Sequence, residues 1–126
     1  MLELGFGGSI RRVLAVGAHA DDIEIGCGAT LMQMLQGDSN ISVYWAVMSA
    51  HGPRVVEARS SAEAMLSSAA ERTIDIGSFR DGFFPYEGEA IKEHFERIKG
   101  VYQPDLILTH YGRDAHQDHR VVSELT

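Results

Sequence analysis

Val13-Leu14-Ala15-Val16-Gly17-Ala18 is a continuous apolar run that ends directly at the polar cluster His19-Ala20-Asp21-Asp22. A strand that is covered on both faces of a sheet has such an uninterrupted run, because neither face meets solvent. The run therefore predicts a central strand of a parallel sheet, with polar residues at its carboxyl end. Ligands of open α/β sheets bind at that end of the strands.

Three further strands are expected downstream, and helical patterns separate them. The predicted strands are 41–48, 73–76 and 105–109, the predicted helices are 29–35, 54–71, 89–102 and one that starts near residue 116 or 118, and 79–88 is a predicted irregular loop. This alternation predicts a Rossmann-like α/β fold with three layers, in which helices cover both faces of a mainly parallel sheet. We expect the strand order 3-2-1-4, which makes the first and fourth strands neighbours.

Composition limits the classes of function. A chain of 126 residues has the length of one domain, so we expect a single domain over 1–126. The net charge is −7 and the basic residues are scattered, so nucleic acid is not an expected partner. No apolar run reaches the length of a membrane span, and the N-terminus lacks the pattern of a secretory signal. With Cys27 as its one cysteine, the chain is predicted to be cytoplasmic.

Two clusters of histidine and aspartate follow the first and the fourth predicted strands. One runs from His19 to Glu24 and the other from His110 to His119. They are far apart in the sequence, but the expected strand order places them side by side. Two imidazoles and a carboxylate suit zinc, and three protein ligands leave a coordination position for water. The predicted metal ligands are His19, Asp22 and His119.

Other residues of the two clusters have predicted roles in hydrolysis. Asp21 is expected to accept a proton from metal-bound water as the general base. His116 lies three residues before His119 and either stabilises the developing oxyanion or protonates the leaving amine. Asp118 is expected to orient one of the imidazoles through a ring N–H.

Each motif alone has an ordinary structural explanation. A single His-x-x-Asp is commonly a turn or a helix cap, and a single His-x-x-His is commonly a polar helix start. The prediction of a metal site therefore depends on finding both motifs at the ends of two neighbouring strands.

At these two motifs the sequence resembles the PIG-L/LmbE family of N-acetylglucosaminyl deacetylases and related amidases. The family's first signature reads Ala-His-Pro-Asp-Asp followed closely by an acidic residue, and residues 18–24 match it with Ala20 in place of proline. Its second signature, His-x-Asp-His, is found at residues 116–119. By position, the family's metal ligands, general base and intermediate-stabilising histidine fall on the residues assigned above.

The resemblance has further implications. It implies substrate-binding positions at Arg54 and Asp81, for which the ordinary alternatives are a solvated charge at a helix start and a turn residue before Gly82. The implied partner is a small N-acyl amino sugar or glycoconjugate. The implied metal is Zn²⁺, although such a site also accepts other divalent ions such as Fe²⁺. Family members continue well past the second motif, so we expect a domain truncated at its C-terminal end, whose incomplete sheet edge favours a homo-oligomer.

The sequence thus predicts a zinc-dependent N-deacetylase or amidase that acts on linear C–N amide bonds. It removes an acyl group, and in the first place an acetyl group, from the nitrogen of an amino sugar or similar conjugate. Two alternatives stay open. One is a truncated or degenerate deacetylase-like domain that binds metal or a partner without catalysis, and the other is a ligand-binding domain that needs no metal.

Overall fold

A single parallel sheet forms the centre of the fold. The computed structural model describes residues 10–126, so the first nine residues of the predicted domain lie outside it. The sheet has the order β3-β2-β1-β4, and its strands are β1 Arg12–His19, β2 Ser42–Ser49, β3 Arg72–Ile76 and β4 Leu106–Leu108. The three strand pairings are parallel. The predicted Rossmann-like α/β class and the strand order 3-2-1-4 are confirmed.

Four helices cover the two faces of the sheet. They are α1 Ala29–Gly37, α2 Pro53–Met65, α3 Gly88–Val101 and α4 Gln117–Leu125. On one face α1 and α2 pack against Val13 and Ala15 of β1. On the other face α3 and α4 pack against Leu14 and Val16, as expected for a strand that is buried on both sides. Within residues 10–126, no helix is long and apolar enough to cross a membrane.

Helix α2 is shorter than the predicted helix 54–71. It ends at Met65, because Leu66 leaves the helical conformation with φ of −94° and ψ of 14°. The Leu66 carbonyl then accepts the Ala69 N–H at 3.0 Å and lies 3.4 Å from a guanidinium nitrogen of Arg72. The resulting turn directs the chain into β3, so the prediction that the helix continues over residues 66–71 was wrong.

The loop between β3 and α3 is more ordered than its sequence indicated. It contains a short 3₁₀ turn, Phe84–Tyr86, and Phe84 is fully buried. The Phe84 ring lies 6.3 Å from the ring of Phe79 and 5.8 Å from that of His19. One buried residue in a loop produces no periodic pattern, so its burial could not be predicted from residue spacing.

A polar network joins β2, β3 and α3 near the edge of the sheet that β3 forms. Asp75 Oδ2 accepts hydrogen bonds from the Tyr44 hydroxyl at 3.0 Å and from His94 Nε2 at 2.8 Å. His94 Nδ1 lies 3.0 Å from an Arg97 guanidinium nitrogen, so both ring nitrogens have partners. Burial raises the pKa of Asp75, but the hydrogen bonds from His94 and Tyr44 outweigh it and leave that pKa below its ordinary value.

Replacing Asp75 with alanine is expected to lower the free energy of unfolding by about 1–3 kcal/mol at neutral pH, because two partly buried donors lose their acceptor. Since the folded-state pKa of Asp75 is lowered, the carboxylate stabilises the fold above its ordinary pKa, and that contribution is lost as the pH falls. Urea unfolding of wild type and D75A measures the difference. Exposed Glu57 gives a control variant, Glu57→Ala, and equal losses in both variants would contradict the prediction.

Candidate active site

The three predicted metal ligands meet at the carboxyl end of β1. His19 is the last residue of β1, Asp22 begins the helical segment that continues into the π-helical residues Glu24–Gly28, and His119 lies in the first turn of α4. His19 Nδ1 is 3.4 Å from Asp22 Oδ2 and 3.3 Å from His119 Nε2. The remaining pair, Asp22 Oδ2 and His119 Nε2, is 3.3 Å apart. The three donor atoms therefore form a nearly equilateral triangle.

This donor triangle has the dimensions of one face of a zinc coordination tetrahedron. Nitrogen and oxygen ligands lie about 2.0–2.1 Å from zinc, so at tetrahedral angles they are about 3.3–3.4 Å from one another. The donor types fit as well, since imidazole nitrogen and carboxylate oxygen are ordinary zinc ligands. The three residues fit a zinc ion and leave a fourth position for water.

Asp118 lies behind His19, on the side away from the donor triangle. Its carboxylate is fully buried and lies 3.0 Å from His19 Nε2. The same carboxylate accepts the backbone N–H groups of Gly82 at 2.6 Å and Phe84 at 3.1 Å. Asp81 also approaches His19 Nε2, at 3.1 Å, but its side chain is 70% exposed. The single Nε2 proton is better held by the buried Asp118, which leaves Nδ1 to face the triangle.

The protonation of His19 and Asp22 reflects their mutual contacts. Burial lowers the pKa of His19, but hydrogen bonds to Asp22 and Asp118 outweigh it and raise the pKa to about 9. Burial raises the pKa of Asp22, but the His19 imidazole, the His19 backbone N–H and the nearby His119 outweigh it and hold that pKa well below its usual range. Asp22 is therefore an anion at neutral pH, whereas the metal-free His19 is protonated there and must release a proton when a metal binds.

A polar cavity of about 300 Å³ opens at His19, which is the one residue of the donor triangle that lines it. It is lined by His19, Ala20, Asp21, Ser49, Ala50, His51, Arg54, Asp81 and His116. Four further predicted site residues thus border one cavity. They are the base Asp21, the intermediate-stabilising His116 and the substrate-binding residues Arg54 and Asp81. Arg54 Nη2 is 3.8 Å from Asp21 Oδ2, and both side chains are more than half exposed. An ion pair this exposed adds little stability, so a ligand can replace it at little cost and bond to either side chain.

His116 has a defined tautomer when its ring is neutral. It is the N-cap of α4, and its Nδ1 accepts the backbone N–H of Asp118 at 3.1 Å. A ring nitrogen that accepts a hydrogen bond carries no proton, so the proton of the neutral ring is on Nε2. His116 therefore brings a hydrogen-bond donor to the cavity.

His110, the first residue of the second cluster, is part of the site, although no role was predicted for it. Its Nε2 accepts the Ala18 N–H at 2.9 Å and lies 3.4 Å from Asp22 Oδ2. Its ring stacks on that of His119, with centroids 3.9 Å apart and planes at 16°. The predicted pairing of β4 with β1 brings His110 to this edge of the sheet, whereas the individual partners of its ring are seen only in the structure.

Comparisons with known proteins identify the family of the chain and show proteins that share its fold. The family model described as GlcNAc-PI de-N-acetylase (PIG-L) matches residues 14–126. A conserved protein from Thermus thermophilus, TT1542, has a similar structure, with a TM-score of 0.67 and 22% sequence identity over 90% of this chain and 52% of that chain. The N,N'-diacetylchitobiose deacetylase from Pyrococcus horikoshii gives a TM-score of 0.65 and 23% identity over 92% of this chain and 48% of that chain.

A third similar structure is the zinc-inhibited form of teicoplanin deacetylase Orf2. Its TM-score is 0.66 and its identity is 19%, over 90% of this chain and 61% of that chain. At these identities the three structures show a shared fold. The chain spans between 48% and 61% of the length of these three proteins.

Proposed function

The chain belongs to the GlcNAc-PI de-N-acetylase (PIG-L) family, and on that premise we propose that it hydrolyses the amide of a small N-acyl amino sugar or similar conjugate. The metal in this proposal is zinc, with another divalent ion such as Fe²⁺ as a substitute. The ligands are His19, Asp22 and His119. The donor triangle carries the proposal, because its three edges of 3.3–3.4 Å match zinc and it adjoins a polar cavity.

The chemistry of the proposed reaction is divided between the metal and the chain. A bound zinc ion would lower the pKa of its water to about 7 and polarise the acyl carbonyl. Asp21 lies on the cavity wall next to the ligand Asp22, where it accepts a proton from the attacking water. His116 Nε2–H donates a hydrogen bond to the oxyanion of the tetrahedral intermediate.

The fate of the proton follows from the tautomer of His116. Because its Nδ1 is already occupied by the Asp118 N–H, the neutral His116 ring carries one proton and uses it as a hydrogen-bond donor. Asp21 holds the proton that came from water and passes it to the amine nitrogen as the C–N bond breaks. The products are then the free amine and the carboxylic acid, and the acid proton passes to the amine, so that an ammonium ion and a carboxylate are released and the proton count balances.

Substrate binding in this proposal uses Arg54 and Asp81. They border the cavity as a hydrogen-bond donor and an acceptor, a combination that suits the hydroxyl groups of a sugar. Asp81 is held beside His19 Nε2 because Asp118 and Gln117 of α4 bond to the N–H and the carbonyl of the next residue, Gly82.

The direct test measures metal content together with amine release from N-acetylglucosamine conjugates. We expect stoichiometric zinc, amine release that a chelator abolishes, and recovery when zinc is added back. Circular dichroism of the chelated protein controls for unfolding. Bound metal without amine release from any acylated sugar would favour the non-catalytic alternative. Absence of metal after loading would overturn the assignment of His19, Asp22 and His119.

A further inference from the structure

The second imidazole of the donor triangle has a buried nitrogen that lacks a hydrogen bond. His119 Nδ1 is inaccessible to solvent and has no hydrogen-bond partner among residues 10–126. Asp114 Oδ2 lies 3.3 Å from it, in the loop that precedes α4. The other oxygen of that carboxylate, Oδ1, accepts the backbone N–H of His116 at 2.8 Å. The two oxygens of Asp114 are thus directed to two different groups.

We propose that Asp114 is a positioning residue that keeps the proton of His119 on Nδ1, so that Nε2 offers its lone pair to the metal. This role rests on the proposed metal site. A neutral imidazole has one N–H, and only the nitrogen without a proton binds a metal. A buried N–H needs an acceptor, and Asp114 has the one carboxylate within 4 Å of Nδ1 in the described part of the chain.

The two imidazole ligands are arranged alike but with opposite nitrogens. His19 directs Nδ1 to the triangle and Nε2 to Asp118, whereas His119 directs Nε2 to the triangle and Nδ1 to Asp114. A carboxylate on the nitrogen away from the metal fixes the ring and its tautomer, and its loss typically weakens metal binding by about 10–100-fold. The Asp114 side chain is 35% exposed, so it can be changed without opening the core.

Asparagine and alanine at position 114 separate this role from a purely structural one. In D114N the single carbonyl oxygen stays with the His116 N–H, and the amide NH₂ then faces His119 Nδ1. A donor at that place favours the tautomer with the proton on Nε2, which blocks the metal. In D114A neither tautomer is favoured, since no side-chain group remains.

The expected order of zinc affinity is wild type, then D114A, then D114N, with a loss of about 10–100-fold in D114N. If Asp114 served only to hold the turn at His116, D114N would bind zinc like wild type and D114A would be weaker. Zinc dissociation constants from chelator competition decide between these orders. Glu124→Gln, an exposed carboxylate-to-amide change on α4, is the matched control.

Histidine ¹⁵N NMR of the zinc-free proteins gives a second readout that does not depend on activity. Because Asp22 Oδ2 faces His119 Nε2 at 3.3 Å in both proteins, the readout is the difference between them: wild type should show a larger share of the proton on Nδ1 than D114N does. The same tautomer in both proteins, or D114N binding zinc as well as wild type, would overturn the role of Asp114 and leave the metal site intact. Wild type that fails to bind zinc would instead overturn the metal site and this role with it.

Discussion

Asp21→Asn is expected to keep its zinc and to lose about 10²- to 10⁴-fold in kcat, the range that general acid–base catalysis contributes. Asparagine has nearly the same shape as aspartate but cannot take a proton from water. The donor triangle does not include Asp21, so zinc binding should not change. Zinc content and the rate of amine release, measured on the same sample, test both halves of the expectation.

The structure limits what else this substitution can change. The Asp21 side chain is 58% exposed, and its one ion pair in the described residues is a 3.8 Å contact with Arg54. Loss of such a contact costs little stability, so the variant should unfold at the same urea concentration as wild type. Undiminished turnover would remove Asp21 as the base. Loss of zinc together with activity would instead make it a ligand.

Much of the fold and the donor triangle could be predicted from the sequence because the signals are local. The apolar run 13–18 indicates a strand buried on both faces, and the alternation of strands and helices restricts the topology to few choices. Once β1 and β4 are neighbours, the motifs that follow them must meet at one edge of the sheet. This topology brings His19, Asp22 and His119 together.

The supporting contacts could not be predicted, because they depend on positions fixed by tertiary packing. The strand order brings His110 near Asp22, but which atoms its ring contacts depends on packing, and Phe84 is buried by a loop without periodicity. The tautomers of His116 and His119 depend on which groups face each ring nitrogen. Residue spacing does not indicate these contacts and tautomers, whereas the interatomic distances in the structure do indicate them.

Asp118→Ala is expected to lower the free energy of unfolding by about 3–5 kcal/mol, the usual cost of removing one partner of a buried charged pair. The fully buried Asp118 carboxylate accepts from His19 Nε2 and from the N–H groups of Gly82 and Phe84. Its loss leaves the two backbone donors without an acceptor and leaves His19 Nε2 with only the exposed Asp81. D114A should lose much less, because the side chain of Asp114 is partly exposed. Urea unfolding of the zinc-free proteins compares the two variants directly.

Loss of Asp118 should also weaken zinc binding, because Asp118 orients the proposed ligand His19. Without its carboxylate partner, His19 no longer has a fixed tautomer, and zinc affinity should fall by about 10–100-fold. Asp118→Asn keeps one acceptor oxygen and should be less unstable than D118A, because fewer of the three donors lose their partner. D118A with an unfolding free energy close to that of wild type would show that α4 and the Gly82–Phe84 loop are joined by other contacts. Unchanged zinc affinity in a folded D118A would show that Nδ1 of His19 faces the metal without help from Asp118.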